Sequence, residues 1–373
     1  MSQWIKTKLG EIVILNYGKA LKAQDRNAGS IPVYSSGGLT GWHNKALINE
    51  QGIIIGRKGT VGKAYLTYGP FWCIDTAYYI LPNPSKYDFV FLFYLLKTLG
   101  LEELNEDSAV PGLNRDTAYS QEILLPSLPE QKAIASVLSS LDDKIDLLHH
   151  QNKTLESMAE TLFRQWFILD STGVSVSIDQ IIDFNPKRTL IKSQDATYLD
   201  MAGLSTVIFR ANGYYRRPFS SGTKFTKRDT LLARITPCLE NGKAAYIDFL
   251  DDNETGWGST EFIVMRPKKE IHPFISYIMC RNPDFKEYAE SCMEGSTGRQ
   301  RVNLDHLKKF NVNLPTEASL RIINELLDSF ESKLINNSKQ IDSLEKLRDT
   351  LLPKLMSGEV RVQYAEEAIA SVA

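Results

Sequence analysis

Ile134-Ala135-Ser136-Val137-Leu138-Ser139-Ser140-Leu141 opens a run in which Ile134, Leu141, Leu148, Leu155 and Leu162 return every seventh residue. Leu138, Ile145, Asn152, Ala159 and Trp166 interleave with them, so the series advances alternately by four and by three. Near the other end of the chain the same spacing holds for Ile323, Phe330, Asn337, Leu344 and Leu351, beside Leu327, Leu334, Ile341, Arg348 and Leu355. An α-helix returns only every third or fourth side chain to one face, so two such series predict the seam of a coiled coil. The competing reading is an amphipathic helix lying on a globular core. One asparagine interrupts each seam, Asn152 and Asn337. A lone buried Asn fixes register at a cost in stability. In an antiparallel pair these two fall in nearly the same layer, where they are expected to hydrogen-bond to each other; two solvated asparagines at a loose seam are the alternative.

Proline marks where these helices begin. Pro126 and Pro129 precede the first and Pro315 the second, and proline suits a helix entry but not its interior. Glu130-Gln131 and Glu317 then place acceptors in the first turn, which the helix dipole favours. Late in the second helix Pro353 predicts a kinked or ended last turn, and Ser357-Gly358 reads as the stop.

Sliding the chain along itself shows what the helices separate. Leu9 to Asn16 matches Ile178 to Asn185 without a gap, Gly62-Lys63-Ala64 returns as Gly242-Lys243-Ala244, and Thr76 to Ile80 returns as Thr260 to Val264. Asn114 stands before Leu125-Pro126 as Asn303 stands before Leu314-Pro315. The offset grows from 169 to 189, so the second copy carries about twenty extra residues. They are expected as loops around Asp195 to Arg228 and Asp251 to Trp257, which are polar and glycine-containing. Short β-branched or aromatic runs such as Gly52 to Ile55, Tyr78 to Leu81, Leu231 to Arg234 and Phe262 to Met265 predict strands, and Phe89 to Leu99 and Pro273 to Cys280 short helices.

Composition bounds the function. A chain of 373 residues, 43% hydrophobic and 24% charged, is expected to form two or more soluble domains. It has no apolar run of membrane-spanning length, and Met1-Ser2-Gln3-Trp4 does not begin a signal peptide, so a cytoplasmic protein with no membrane association is expected. Four scattered cysteines, Cys73, Cys238, Cys280 and Cys292, argue for reduced thiols and against a zinc site. The formal net charge of −2 does not exclude nucleic acid, because phosphate contacts need only a local basic surface.

Leu125-Pro126-Ser127-Leu128-Pro129-Glu130-Gln131-Lys132-Ala133-Ile134, continuing through Leu141-Asp142-Asp143-Lys144-Ile145 to Phe163-Arg164-Gln165-Trp166-Phe167, resembles the central conserved region of type I restriction-modification specificity subunits. Leu352-Pro353-Lys354-Leu355-Met356-Ser357-Gly358-Glu359-Val360 resembles that family's distal conserved region. The second helix entry, Leu314-Pro315-Thr316-Glu317-Ala318-Ser319, departs from the pattern in lacking the Glu-Gln pair. The resemblance implies an α+β fold: two mixed strand/helix target-recognition domains, related by pseudo-twofold duplication and separated by two long antiparallel coiled-coil helices. It places the first target-recognition domain at 1–129, the central helix at 130–168, the second domain at 169–318, the distal helix at 319–357 and a tail at 358–373. It further implies double-stranded DNA as ligand, with each domain reading half of a split, asymmetric sequence. Two methyltransferase subunits are the implied partners, joined in the full nuclease by restriction/translocase subunits. S-adenosylmethionine belongs to the methyltransferase, and this chain itself is expected to hold no cofactor. The alternative is a free-standing duplicated DNA-binding or scaffold protein without those partners.

No enzyme constellation emerges from the residues. Asn185-Pro186-Lys187-Arg188 has one proline and no aromatic where a base-flipping adenine methyltransferase needs Pro-Pro-aromatic. Gly59-Thr60-Val61-Gly62-Lys63-Ala64 lacks the glycine spacing and the Ser/Thr of a phosphate loop. Pro283-Asp284 with Glu331-Ser332-Lys333 could be forced into a nuclease pattern, but the latter three flank the seam residues Phe330 and Leu334 and read as a solvated helix face. His43, His149, His150, His272 and His306 show no metal or nucleophile spacing. Catalytic and metal residues are therefore expected to be none.

DNA contact has candidates in both copies. Between Arg210 and Lys243 stand eight Lys or Arg against two acids, Asp229 and Glu240, with Tyr214, Tyr215, Phe219 and Phe225 interleaved. From this stretch Arg210, Tyr214, Arg216, Arg217, Lys224, Lys227, Arg234, Asn241 and Lys243 are the candidate contacts, suited to phosphates and base edges; an ordinary solvated loop is the competing reading. The first copy offers Tyr34, Ser36, His43, Arg57, Lys58, Thr60 and Lys63 among glycines that would let backbone amides approach phosphate, or form hairpin turns. The loops Gly112-Leu113-Asn114-Arg115 and Gly295-Ser296-Thr297-Gly298-Arg299-Gln300-Arg301 add Asn114, Arg115, Arg299, Gln300 and Arg301. About 36 helical residues at 1.5 Å each span roughly 54 Å, enough to act as a ruler between two readers about one turn of duplex apart.

Overall fold

The computed structural model describes residues 4–104, 112–170, 172–296 and 298–365. Thr297 and residues 366–373 of the tail lie outside the described residues. Contacts divide the chain into two units, Met1–Asp146 with Gln340–Ala373, and Leu147–Lys339, so each unit takes one globular part and a portion of both long helices.

The first unit runs β1 (Ile5–Lys8), α1 (Leu9–Ile12), β2 (Asn16–Tyr17), β3 (Ile31–Ser35), β4 (Gly38–His43), β5 (Gly52–Gly56), β6 (Ala64–Thr67), β7 (Trp72–Cys73), β8 (Ala77–Ile80), α2 (Phe89–Thr98), α3 (Arg115–Tyr119) and β9 (Glu122–Leu125). Its central sheet is ordered β2-β8-β5-β6, a second sheet β4-β3-β7, and β1 pairs with β9. Strand β5 carries Ile53, Ile54 and Ile55, all fully buried, so it reads as an unbroken apolar run without alternation. Helix α2 starts where Asp88 accepts from Phe91 N at 2.9 Å, and it buries Phe91, Leu92, Leu95 and Leu96 at helical spacing. Gly62 adopts φ +75, and a Cβ there would lie 2.3 Å from Glu102 N, so only glycine fits.

The second unit repeats this plan. It runs β10 (Val174–Ser177), β11 (Ile182–Phe184), β12 (Asp195–Leu199), β13 (Tyr215–Pro218), β14 (Thr223–Thr226), β15 (Thr230–Ala233), β16 (Ala244–Tyr246), β17 (Thr255–Gly258), β18 (Phe262–Pro267), α5 (Phe274–Arg281), α6 (Pro283–Ser291), β19 (Met293–Glu294), β20 (Arg301–Val302), α7 (Leu304–Leu307) and β21 (Asn311–Leu314). The sheet β11-β18-β15-β16 matches β2-β8-β5-β6, the pair β10–β21 matches β1–β9, and β13-β12-β17-β14 matches β4-β3-β7 with one strand added. The segments expected as loops thus hold strands: β12, β13 and β14 lie within or beside Asp195 to Arg228, and β17 overlaps Asp251 to Trp257. Polar, glycine-containing sequence made them look like loops, yet ladder pairing and aromatic packing on Trp257 hold them as a sheet.

Backbone pairing also corrects the repeat by one residue. Ile55 faces Tyr78 and Ala64, while Leu232 faces Ile263 and Ala244, so Tyr78 corresponds to Ile263, not to Phe262 as the ungapped match of Thr76 to Ile80 with Thr260 to Val264 implies. A one-residue slip in a strand exchanges its faces, so this correction decides which side chains are equivalent. The two asparagines of the repeat, Asn114 and Asn303, both cap one-turn helices, accepting from Asp116 N at 2.8 Å and from Asp305 N at 3.0 Å.

The two long helices are α4 (Leu128–Phe163), extended by a wider turn over Arg164–Leu169, and α8 (Glu317–Ser357). In the first unit Arg348 donates to Asp142 Oδ1 at 2.9 Å, and Ile134, Leu138, Leu141, Ile145, Leu344, Leu351 and Leu355 are buried. In the second, Asn337 Nδ2 donates to Asn152 Oδ1 at 2.9 Å and Asn152 Nδ2 to Ser338 Oγ at 3.3 Å. Along α4 these pairs ascend while along α8 they descend. Ile323, Leu327 and Leu334 belong to the same buried cluster as Phe274 and Tyr277, so this stretch of α8 serves a globular core. Gln131, fully buried, accepts from Asp88 N at 2.8 Å and donates to Pro126 O at 2.9 Å, tying the start of α4 to the cap of α2. Helix α8 continues through Pro353 and stops at Gly358, whose φ of +76 admits glycine readily. Among the described residues no helix is long and apolar enough to cross a membrane.

Candidate nucleic-acid interface

In the first unit the backbone brings two distant candidate segments together. Arg57 receives Leu113 N on its carbonyl at 2.8 Å, and Lys58 forms an isolated β-bridge with Gly112. A cleft of about 440 Å³ results, lined by Tyr17, Arg57, Lys58, Tyr78, Asn114 and Arg115, with Asp116 among the remaining lining residues. Arg57 Cζ lies 5.2 Å from the Tyr17 ring centroid and 5.8 Å from that of Tyr78; Arg115 Cζ lies 5.4 Å from Tyr17 and 5.9 Å from Tyr119. Arg57 Nη2 also donates to Asp75 O at 2.9 Å. Burial, aided by the neighbouring Tyr17 hydroxyl and opposed by Arg57, pushes the Tyr78 phenol up to about 12, so it stays neutral and donates to Leu113 O. The tyrosines were not among the sequence candidates; their one sequence signal is the position of Tyr17 directly after the repeated Asn16.

Other first-unit candidates do not join this cleft. His43 is buried, its Nδ1 accepting from Asn27 N at 3.0 Å and its ring edge-on to Trp72, so its ring serves the domain's packing. Ser36 is also buried, and half-buried Tyr34 packs edge-on to Phe71. Exposed Lys63 lines a different depression with Lys97, Glu102 and Glu103, and Thr60 is half-buried. The Asn114 carbonyl is taken up by its helix cap.

In the second unit, four of the eight cations of the Arg210–Lys243 stretch, Arg228 on Glu331 among them, are neutralised by carboxylates outside it, and Arg301 beyond it is neutralised too. Arg210 pairs with buried Asp248 at 2.8 Å, Arg216 with Asp195 at 2.8 Å and Glu254 at 3.5 Å, Lys227 with Asp252 at 2.8 Å and Arg301 with Glu261 at 2.7 Å. Arg234 donates to Val302 O and Lys243 to Met201 O, while Asn241 and Arg299 are exposed and Gln300 is half-buried. In and beside the sheet β13-β12-β17-β14, aromatic rings rather than carboxylates flank the remaining cations, with Trp257 itself buried. Arg217 lies over Tyr198 at 5.1 Å and Trp257 at 5.6 Å, Lys224 over Phe219 at 4.9 Å, and Tyr214 stacks on Phe249 at 3.9 Å. Such cation–π pairs hold a charge without cancelling it.

Glu331 is not on a solvated face. It is buried, accepting from Tyr246 Oη at 2.7 Å and from Arg228 Nη2 at 2.5 Å, because the end of β16 and the turn before β15 both reach this turn of α8. Ligand atoms of His272, Asp328 and Glu331 lie within 4.8 Å of one another, the spacing of a metal site. Arg228 Nη2 stands among them, 3.2 Å from His272 Nε2 and 3.4 Å from Asp328 Oδ1, so a guanidinium already supplies the positive charge there. Burial holds His272 below the ordinary imidazole range, against the pull of Asp328 and Glu331.

The model of the type I restriction modification DNA specificity domain matches residues 1–157 and again residues 172–346. The type I restriction enzyme MjaIX specificity subunit of Methanocaldococcus jannaschii is 27% identical over 319 residues, covering 73% of this chain and 69% of that one. The EcoEI specificity subunit of Escherichia coli is 26% identical over 204 residues, which make up 51% of this chain and 34% of its own length. In fold the chain is similar to the S subunit of the type I restriction-modification system from M. genitalium, with a TM-score of 0.64 at 19% identity over 95% of this chain and 96% of that one. Two matches of one domain model, on two halves that share sheet order and helix caps, agree with the motif resemblance at Leu125 to Phe167: the chain belongs to the type I restriction modification DNA specificity family.

Proposed function

We propose that this chain is the sequence-reading subunit of a type I restriction-modification complex, in which each copy of the duplicated domain recognises one half of a split, asymmetric DNA target. The observation that carries this reading is the unequal dressing of one scaffold. Arg57 and Arg234 occupy equivalent positions, with their carbonyls accepting from Leu113 N and Val302 N at 2.8 Å each. Around them, Pro186 stands where the first unit has Tyr17, Leu304 where it has Arg115, and Ile263 where it has Tyr78. Two domains built on one frame but surfaced differently would engage the two halves of a target in unlike ways, as an asymmetric split site requires.

In this reading residues 1–129 and 169–318 recognise DNA, while 130–168 and 319–357 form an antiparallel coiled-coil pair about a pseudo-twofold axis and set the unread spacer. The chain is non-catalytic and acts in the cytoplasm. Two methyltransferase subunits, which bind S-adenosylmethionine, and restriction/translocase subunits supply the chemistry. Sequencing the host methylome with and without this chain tests the proposal. A split methylated motif that vanishes on deletion, together with co-purification of a methyltransferase, is expected; an unchanged methylome would leave only a free-standing DNA binder.

A further inference from the structure

The tyrosine-lined cleft of the first unit poses a narrower question, which rests on the DNA-reading role just proposed: what part of the duplex does it take? Among the described residues Arg57, Lys58 and Arg115 form no salt bridge with a carboxylate, and Asp116 is the one acid lining the cleft. The surroundings of these cations are aromatic instead. Tyr17, 51% exposed, faces both guanidinium groups, and each guanidinium has a second tyrosine beside it. Those second rings are fixed to backbone: Tyr78 Oη donates to Leu113 O at 3.2 Å, and Tyr119 Oη accepts from Leu15 N at 2.9 Å. Ring packing limits a guanidinium's motion without cancelling its charge, and Arg57, which gives one N–H group to Asp75 O, is held in place by that bond as well. The site is preorganised in the sense that its arginines are ordered before any ligand arrives.

Charge and shape then decide between the two kinds of hydrogen-bond acceptor on DNA, the anionic phosphates and the neutral base edges. Base edges are recessed in the grooves and are reached by side chains that project. Phosphates stand out from the duplex and enter concave sites. We infer that the cleft between Arg57 and Arg115 is a clamp for one backbone phosphate, fixing how the first unit sits on the duplex, and that Tyr17 is its positioning residue. Sequence readout by this unit lies outside the cleft. The second unit lacks the device, with Pro186 and Leu304 at the corresponding positions and Arg301 neutralised by Glu261.

The test uses the full chain, co-expressed with its methyltransferase, and measures anisotropy across a salt series on two labelled duplexes. One carries the methylome-defined motif and the other is of random sequence. Arg115→Gln and Tyr17→Leu are expected to weaken both duplexes by a similar factor, about tenfold, and to reduce the salt slope by about one. Tyr17→Phe, which keeps the ring, should restore both quantities, and the methylated motif should be unchanged throughout. Variants that bind like the parent, or that broaden the motif with an unaltered slope, would overturn the clamp. Should Tyr17→Leu fail to fold, Arg115→Gln at its exposed position carries the test. A parent complex that does not distinguish the two duplexes would sink the specificity role, whereas the slope change in Arg115→Gln would still report the clamp.

Discussion

Glu156 on α4 accepts from Tyr277 Oη at 2.7 Å, and Arg281 donates to the same hydroxyl at 2.8 Å. Burial raises its carboxyl from 4.5 to about 7 despite those partners. A carboxyl whose folded value lies above its unfolded one binds its proton more tightly when folded. Its contribution is therefore complete below pH 4.5 and is lost as pH rises through about 7. Glu156→Gln keeps the hydrogen bond but not the charge, so thermal melting of this variant should be flatter across that window and higher than the parent's on its alkaline side. An unchanged pH profile would contradict the assignment. Neither the half-buried Glu156 nor the buried Glu331 was legible from sequence, because what covers them comes from α5 and β16, far along the chain. Counting charge in a window failed for the same reason. The stretch from Arg210 to Lys243 looked basic, yet Asp195, Asp248, Asp252 and Glu254, all outside it, neutralise much of it.

At the scale of elements, the heptads located both long helices to within a few residues, and the apolar runs located most strands. What the pattern could not fix was register in the short strands, where Thr76 to Ile80 matched a plausible but slipped partner. Side-chain similarity is a weak guide over five residues; the ladder hydrogen bonds are decisive. The asparagine pair belongs to this scale as well. Asn337 is fully buried, and its Oδ1 has no partner, so the Asn337–Asn152 contact satisfies only part of the layer's polar capacity. Replacing both by Leu should raise the melting temperature by about 2–4 °C, while Asn337→Leu alone, which leaves the buried Asn152 Oδ1 without its donor, should destabilise by about 1–3 kcal/mol. Calorimetry on the two variants distinguishes a register device from a neutral contact: a clear loss in the double variant would refute it.

For the whole molecule, family membership was readable because the helix entries, the heptads and the duplication occur in one order along the chain. The candidate interface was half readable: Arg57, Lys58, Asn114 and Arg115 do meet in one cleft, but the tyrosines that organise it carry no motif. The proposed ruler makes a prediction at this scale. Inserting one heptad into each long helix, between Asp142 and Asn152 and between Asn337 and Arg348, adds about 10 Å per helix. The unread spacer in the methylated motif should lengthen by about three base pairs with both half-sites unchanged; altered half-sites would count against it. A different consequence follows from how the loop before α3 and its counterpart before α7 are attached. Amide-to-carbonyl bonds at Arg57–Leu113 and Arg234–Val302 hold them, and those bonds are indifferent to the side chains beside them. Tyr17 could become Pro186 and Arg115 Leu304 without disturbing the frame. Mutational drift at such positions changes the lining of one domain while leaving its folding nearly untouched, so a lineage carrying this scaffold is free to retune how tightly either half grips its ligand without rebuilding it.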